Sequence, residues 1–147
     1  RFTITMKEAL DFIINATKIS KGSEIFIPKI SAYDMKLLIS SLNELLEKSD
    51  EKIIGTRPGE KLHETLINPD ELQYTYEIND LYVILSPLIF PATNSSPNMR
   101  NFSQEELESR YPGIKKITSM GSYSSDTAPK ISQDEFKTKI LDSGLID

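Results

Sequence analysis

The chain has 147 residues, no cysteine, a formal net charge of −5 and 38% hydrophobic residues. This length fits one globular domain, and the lack of cysteine excludes disulfides, a thiol nucleophile and cysteine-based metal centres. The negative charge argues against general affinity for nucleic acid or an anionic membrane, so a phosphate site has to be made locally by a few cations. The most apolar stretch, residues 81–90, contains Pro87 and is too short to span a bilayer; with no visible signal peptide, we expect a cytoplasmic protein.

The first part of the chain predicts a helix, a strand and a second helix. Thr5 and Glu8 form a capping box that starts the first helix, and Gly22 ends the segment. A strand is expected at 24–27, and Ser31 is expected to cap the second helix. The residues predicted to form the apolar face of the first helix are Ala9, Phe12, Ile13 and Ala16. Those predicted to form the buried stripe of the second are Met35, Leu38, Ile39, Leu42, Leu45 and Leu46.

A turn and a hairpin dominate the next segment. A short strand at 52–54 is expected to lead into the turn Arg-Pro-Gly-Glu at 57–60. A two-turn helix is then predicted from Glu60 to Leu66. Asn79-Asp80 is expected to join two strands, at 74–78 and 81–85, into a hairpin.

The composition changes at Pro87, where prolines and small polar residues resemble a linker. Two short amphipathic helices are predicted beyond it, at 103–111 and 133–142, the second anchored by Phe136, Ile140 and Leu141. Helices this short are not stable alone, so they must dock on their own lobe or on a neighbouring subunit. The predicted organisation is a mixed α/β lobe over 1–86, a linker over 87–102 and a helical carboxy-terminal extension over 103–147.

The turn at 57–60 is the strongest candidate binding site. A helix N-terminus favours anions, above all phosphates, and Arg57 can bind a phosphate through two parallel hydrogen bonds. The carboxylate of Glu60 suits vicinal hydroxyls such as those of a ribose. Gly59 allows a positive φ and a close approach of backbone to ligand. The residues alone leave open a nucleotide-diphosphate clamp or a helix-start turn with a solvated arginine.

The other candidate residues give weaker evidence for a functional site. His63 is the only histidine and cannot form a metal site alone, so we expect a structural or surface role for it. No Ser-His-Asp order with a nucleophile elbow occurs. We therefore predict no metal site and no catalytic residue in this chain.

Four blocks of sequence occur in a characteristic order and spacing: RFTITMKEA at 1–9, GSEIFIPKI at 22–30, IGTRPGEKLHETLI at 54–67 and YVIL at 82–85. Together they resemble the carboxy-terminal part of the UDP-N-acetylglucosamine 4,6-dehydratases. These are extended short-chain dehydrogenase/reductases that make capsule, O-antigen and flagellar sugars. The segment YSSDT at 123–127 is also similar to the end of that family, though less distinctive.

This resemblance implies a function for the turn. Arg57 matches the family's diphosphate-binding arginine, Glu60 its ribose-binding acid, and Arg1 an arginine that also reaches the phosphates. The implied fold is the small mixed α/β substrate-binding lobe of an extended short-chain dehydrogenase. The implied ligand is a UDP-sugar, and NAD(P) is expected in the full-length enzyme.

The parts of such an enzyme that bind the cofactor have no counterpart in this sequence. It contains no glycine-rich dinucleotide fingerprint. Only Tyr111 has a lysine four residues on, Lys115, and Pro112 breaks the helix that such a pair requires. We therefore expect no cofactor in this chain, a partner in the missing amino-terminal Rossmann half, and homo-oligomers. The alternative is a non-enzymatic interaction or oligomerisation module derived from that fold.

Overall fold

The computed structural model describes residues 1–22, 24–85, 103–144 and 146, so the predicted linker at 87–102 lies outside the described residues. Helices and strands are interspersed along the chain, which confirms the mixed α/β class. The elements are α1 Met6–Ile19, β1 Ile25–Pro28, α2 Met35–Leu45, β2 Thr65–Ile67, β3 Thr75–Ile78, β4 Leu81–Ile84, α3 Gln104–Arg110, β5 Lys115–Lys116, β6 Tyr123–Ser124 and α4 Gln133–Asp142. None of the helices in these ranges combines the length and apolarity needed to cross a membrane.

The chain divides into two compact units. The first unit comprises Arg1–Ala9, Ile30–Thr65 and Ser124–Asp147. The second unit comprises Leu10–Lys29 and Leu66–Tyr123. Each unit has its own buried residues, and each is described separately below.

The second unit is built on a four-stranded antiparallel sheet in the order β1-β4-β3-β5. Ile78 pairs with Leu81, and Asn79 between them has φ +49°, the left-handed conformation that a two-residue hairpin turn requires. The predicted hairpin is therefore confirmed. Helix α3 starts at a capping box and ends at the Tyr111 cap, before Pro112, so the helix predicted at 103–111 is confirmed too. The buried core consists of Ile78, Val83, Leu85, Leu107, Tyr111 and Ile114.

The first unit is held by three extended segments and two helices. Phe2 bridges to Ala32, which bridges in turn to Lys130, and Ala32 is fully buried. Helix α4 packs with α2, and the ring of Phe136 stacks on Tyr33 with 4.7 Å between centroids. This confirms the helix predicted at 133–142 and its anchor Phe136. Docking of both tail helices on a neighbouring subunit remains the untested alternative.

Several local predictions are wrong. No helix begins at Glu60: residues 60–64 are irregular, and Thr65–Ile67 is strand β2, which pairs with β6. No strand forms at 52–54, where the side chain of Ile53 is 98% exposed. A strand needs a neighbouring strand, which two β-branched residues do not supply, and the Glu60 carboxylate bonds back to the Arg57 N–H instead of starting a helix.

The cap predicted for α2 is wrong, and its predicted stripe is only partly buried. Within it Leu38, Ile39, Leu42 and Leu45 are half-buried, whereas Met35 and Leu46 are exposed. Asp34, not Ser31, caps the helix, since its carboxylate accepts a hydrogen bond from the Leu37 N–H at 2.8 Å. Ser31 lies in an extended segment, where its carbonyl accepts from Thr3. Ser41 is the one fully buried residue of α2. Helices α1, α2 and α4 all carry exposed apolar side chains. The predicted core residues that are instead about half exposed are Ile13, Met35, Leu46 and Leu141.

Ser41 offers a test of packing in the first unit. Its hydroxyl is buried and has no hydrogen-bond partner among the described residues. A buried unpaired hydroxyl costs desolvation energy, so Ser41→Ala should raise the free energy of unfolding by about 1 kcal/mol. The matched control is Ser40→Ala at an exposed position of the same helix, expected to change stability by less than about 0.5 kcal/mol. Urea unfolding measures both, and a loss of stability in Ser41→Ala would contradict the structure.

Glu24 predicts how the second unit responds to acid. Burial raises the pKa of its carboxyl, but hydrogen bonds from Tyr111, the Lys21 N–H and Ser20 outweigh this and lower the pKa below its ordinary 4.5. A carboxylate with a lowered folded-state pKa stabilises the fold above its unfolded-state pKa, and that contribution is lost as the pH falls through the folded-state value.

We therefore expect Glu24→Gln to lower the free energy of unfolding near neutral pH by about 1–3 kcal/mol, the range for hydrogen bonds to a charged group. It should also flatten the decline of stability below pH 4.5. Urea unfolding across a pH series measures both effects. Asp11→Asn, at an exposed position on α1, should leave the pH profile unchanged. Identical profiles for Glu24→Gln and the unmodified chain would refute the assignment.

Candidate functional site

The Arg-Pro-Gly-Glu turn is closed by Glu60 from two sides. The Glu60 N–H donates to the Arg57 carbonyl at 3.0 Å, and Glu60 Oε2 accepts from the Arg57 N–H, also at 3.0 Å. Gly59 has φ +82°, which confirms the positive φ predicted there. Glu60 thus caps a turn instead of starting a helix. The helix N-terminus expected to attract anions is absent at this position, so within residues 57–60 the positive charge comes from Arg57.

The side chain of Arg1 ties this turn to the residues that follow it. Its Nη1 donates to the Lys61 carbonyl at 2.7 Å and lies 3.2 Å from Glu64 Oε1. Its Nη2 lies 3.3 Å from Glu60 Oε1. The Arg1 carbonyl accepts from the Tyr33 N–H at 2.7 Å, so the arginine itself is fixed in the first unit. Much of the hydrogen-bonding capacity of Arg1 is therefore used in contacts within the protein.

Arg57 differs from Arg1 in this respect. Its side chain is exposed, and no ion pair joins it to a carboxylate in the described part of the chain. The structure thus brings Arg1, Gly59 and Glu60 into one bonded loop and leaves the Arg57 guanidinium at its surface. A planar cation in this setting can bind a phosphate through two parallel hydrogen bonds.

The sequence did not single out Glu64 or Ser125, which brace the loop. The Ser125 Oγ accepts from the Glu64 N–H at 3.0 Å, and the Ser125 N–H donates to the Glu64 carbonyl at 2.8 Å. Ser125 is 1% exposed. The only signal in the sequence was that both residues lie in segments that resemble one family.

His63 and Asp126 lie beside this brace. The Ser124 hydroxyl donates to Asp126, which lowers the pKa of that carboxyl, and the charge of His63 adds to the effect. In the described ranges, no group of three or more histidine, aspartate or glutamate side chains is arranged to hold a metal ion.

Tyr111 and Lys115, the tyrosine and lysine with the spacing of a cofactor-binding pair, do not share a helix. Tyr111 caps the end of α3, and its hydroxyl donates to Glu24, whereas Lys115 lies on β5. Burial, then the bond to Glu24, raises the pKa of Tyr111, which keeps it a structural donor.

Residues 1–86 match the family described as "Polysaccharide biosynthesis protein". The chain belongs to this family. The match covers the turn at 57–60, Arg1 and the hairpin, and it ends before the tail that supplies Ser125. The family assignment therefore includes the candidate site, whereas its brace comes from outside the matched range.

Individual members of the family agree with this assignment. The chain is 35% identical over 130 residues to an inverting UDP-N-acetylglucosamine 4,6-dehydratase of Campylobacter jejuni, covering 88% of this chain and 36% of that protein. It is 25% identical over 142 residues to a UDP-glucose 4-epimerase of Rickettsia massiliae, covering 96% and 38%. The X-ray structure of Pen from Bacillus thuringiensis superposes on all of the chain and 38% of its own length, with a TM-score of 0.72 and 31% identity.

These comparisons confirm the resemblance to a dehydratase-like polysaccharide biosynthesis protein. The chain spans little more than a third of the length of the curated relatives that it matches. The activity of a whole protein of this kind is therefore a matter of proposal for this chain.

Proposed function

We propose that this chain is the nucleotide-sugar-binding portion of a UDP-N-acetylglucosamine 4,6-dehydratase in surface polysaccharide biosynthesis, and that it is not catalytic alone. The observation that carries the proposal is the exposed guanidinium of Arg57, which forms no ion pair with the described residues, on a turn closed by Glu60. The names of the relatives supply the ligand class. The dehydratase of Campylobacter jejuni is named for UDP-N-acetylglucosamine, and the epimerase of Rickettsia massiliae for UDP-glucose.

The electrostatics of the turn favour a diphosphate. The chain as a whole is negative, at −5, so an anionic ligand gains from a local cation only at short range. A guanidinium matches the geometry of phosphate oxygens and stays charged at all physiological pH values. Gly59 keeps the turn free of a side chain where the ligand would approach.

Glu60 and Arg1 have supporting roles in this proposal. Glu60 already accepts from Arg1 and from the Arg57 N–H, but a carboxylate has further lone-pair positions for a ribose hydroxyl. Arg1 adds a second positive charge beside the turn while it remains bonded to Glu60, Glu64 and the Lys61 carbonyl. The ligand would thus meet Arg57, which forms no ion pair with the described residues, and Arg1, which is already paired.

Catalysis is proposed to require the longer protein. NAD(P), bound by an amino-terminal Rossmann half, would supply hydride transfer. The complete protein is proposed to act in the cytoplasm and to form homo-oligomers. Purified alone, the chain should therefore bind UDP without converting the sugar nucleotide.

We predict that Arg57→Ala weakens UDP binding by about 2 kcal/mol, or roughly thirtyfold in Kd, because a charge-assisted bidentate contact is lost. Arg57→Lys should restore only part of the affinity, since an ammonium cannot form the paired bonds. Isothermal titration calorimetry with UDP measures both. The matched control is Lys61→Ala, which removes the same charge from an exposed side chain of the same loop and should change Kd little.

Equal losses of UDP affinity in Arg57→Ala and Lys61→Ala would show that the effect comes from net charge. That result would contradict a specific contact between Arg57 and the diphosphate. Unchanged affinity in Arg57→Ala would show that the turn is merely structural. Circular dichroism confirms that each variant is folded.

One observation favours the alternative of an interaction module. Helix α1 exposes an apolar stripe at helical spacing, with Met6 75%, Leu10 53% and Ile13 56% exposed. Contiguous apolar surface of this kind is typical of a face that another protein surface covers. A chain that fails to bind UDP in calorimetry but self-associates in light scattering would support this alternative.

A further inference from the structure

We infer that Ser125 is a positioning residue for the Arg57–Glu60 turn and acts on it through Glu64 and Arg1. The inference rests on the proposed function for its consequence on ligand affinity, although its structural part can be tested without ligand. Ser125 lies in the tail, more than sixty positions after Glu64, and on this inference it orders the candidate binding turn.

The first step is the attachment of Glu64 to Ser125. Two hydrogen bonds join them, one to the Ser125 hydroxyl at 3.0 Å and one from the Ser125 N–H at 2.8 Å. Ser125 is buried, and its own carbonyl accepts from Lys130. The Ala128 N–H donates to the Ser124 carbonyl at 2.8 Å, which closes the turn around Ser125. Both the N–H and the carbonyl of Glu64 are therefore bonded to Ser125, which is itself buried and hydrogen-bonded.

The second step is the orientation of Arg1. With the Glu64 backbone fixed, its carboxylate holds Nη1 of Arg1 at 3.2 Å. The same nitrogen donates to the Lys61 carbonyl at 2.7 Å. Exposed ion pairs are weak singly, but one guanidinium shared between two carboxylates and a carbonyl has little freedom to reorient.

The third step reaches the turn. Nη2 of Arg1 lies 3.3 Å from Glu60 Oε1, and Glu60 Oε2 accepts from the Arg57 N–H at 3.0 Å. One carboxylate thus connects the braced arginine with the backbone of the arginine proposed to bind phosphate. Loosening Glu64 should therefore increase the motion of Arg57.

The loop needs this external restraint. Residues 60–64 have no helix or strand to pair their backbone groups, and all five are exposed. In such a loop, side-chain contacts replace the ladder of regular structure. The chain of contacts from Ser125 to Arg57 supplies them.

The test compares Ser125→Ala with Ser124→Ala in the full 147-residue chain. The control removes the neighbouring hydroxyl, which donates to Asp126. Fast amide exchange by NMR, without ligand, should show the Glu64 and Arg57 amides exchanging about fivefold faster in Ser125→Ala, the scale of one lost hydrogen bond. The Kd for UDP should rise about fivefold by calorimetry, and Ser124→Ala should change neither quantity.

Faster exchange confined to Glu64, with Arg57 exchange unchanged, would overturn the inference, as would equal effects in Ser124→Ala. If Ser125→Ala does not fold, Glu64→Gln keeps both backbone bonds to Ser125 and weakens only the pairing with Arg1. Faster Arg57 exchange in that variant supports the relay, and unchanged exchange overturns it. If the unmodified chain does not bind UDP, the proposed function fails while the exchange rates still decide the role of Ser125.

Discussion

The guanidinium of Arg1 is the contact on which the candidate site depends. It joins a carboxylate within the turn, Glu60, to a carboxylate beyond it, Glu64, and to the Lys61 carbonyl between them. These residues belong to no helix or strand, so their arrangement follows from side-chain bonds. Arg1 is bonded to the protein, whereas Arg57 forms no ion pair in the described part of the chain. Two arginines that look equivalent in the sequence thus differ in their contacts.

The candidate site is built from segments that lie far apart in the sequence. Arg1 opens the chain, the turn lies at 57–60, and Ser125 lies near the far end, yet all belong to the first unit. The extended segments at Phe2, Ala32 and Lys130 bring these regions together, since each bridges to the next. The sheet and core of the second unit supply a separate folded body, stabilised by the hairpin and by the burial of Leu107 and Tyr111.

What the sequence predicted well was local. The Asn79-Asp80 hairpin and the helix starts at Thr5 and Ser103 depend on residues within a few positions of one another. The helix predicted from Glu60 failed because its carboxylate bonds back to Arg57, and nothing local distinguishes that from a capping role. The Ser125 brace depends on a contact between distant residues, which no periodicity records. The candidate residues at 57–60 were singled out because turn chemistry and family resemblance coincide there, and their binding role stays a prediction.

A crystal structure of this chain with UDP tests the central claim most directly. The predicted result has diphosphate oxygens within hydrogen-bonding distance of the Arg57 guanidinium and a ribose hydroxyl on Glu60. Arg1 should remain bonded to Glu64 and to the Lys61 carbonyl. UDP bound elsewhere with Arg57 still in solvent, or Arg1 released from both partners to contact the phosphates, would contradict the division of roles between the two arginines.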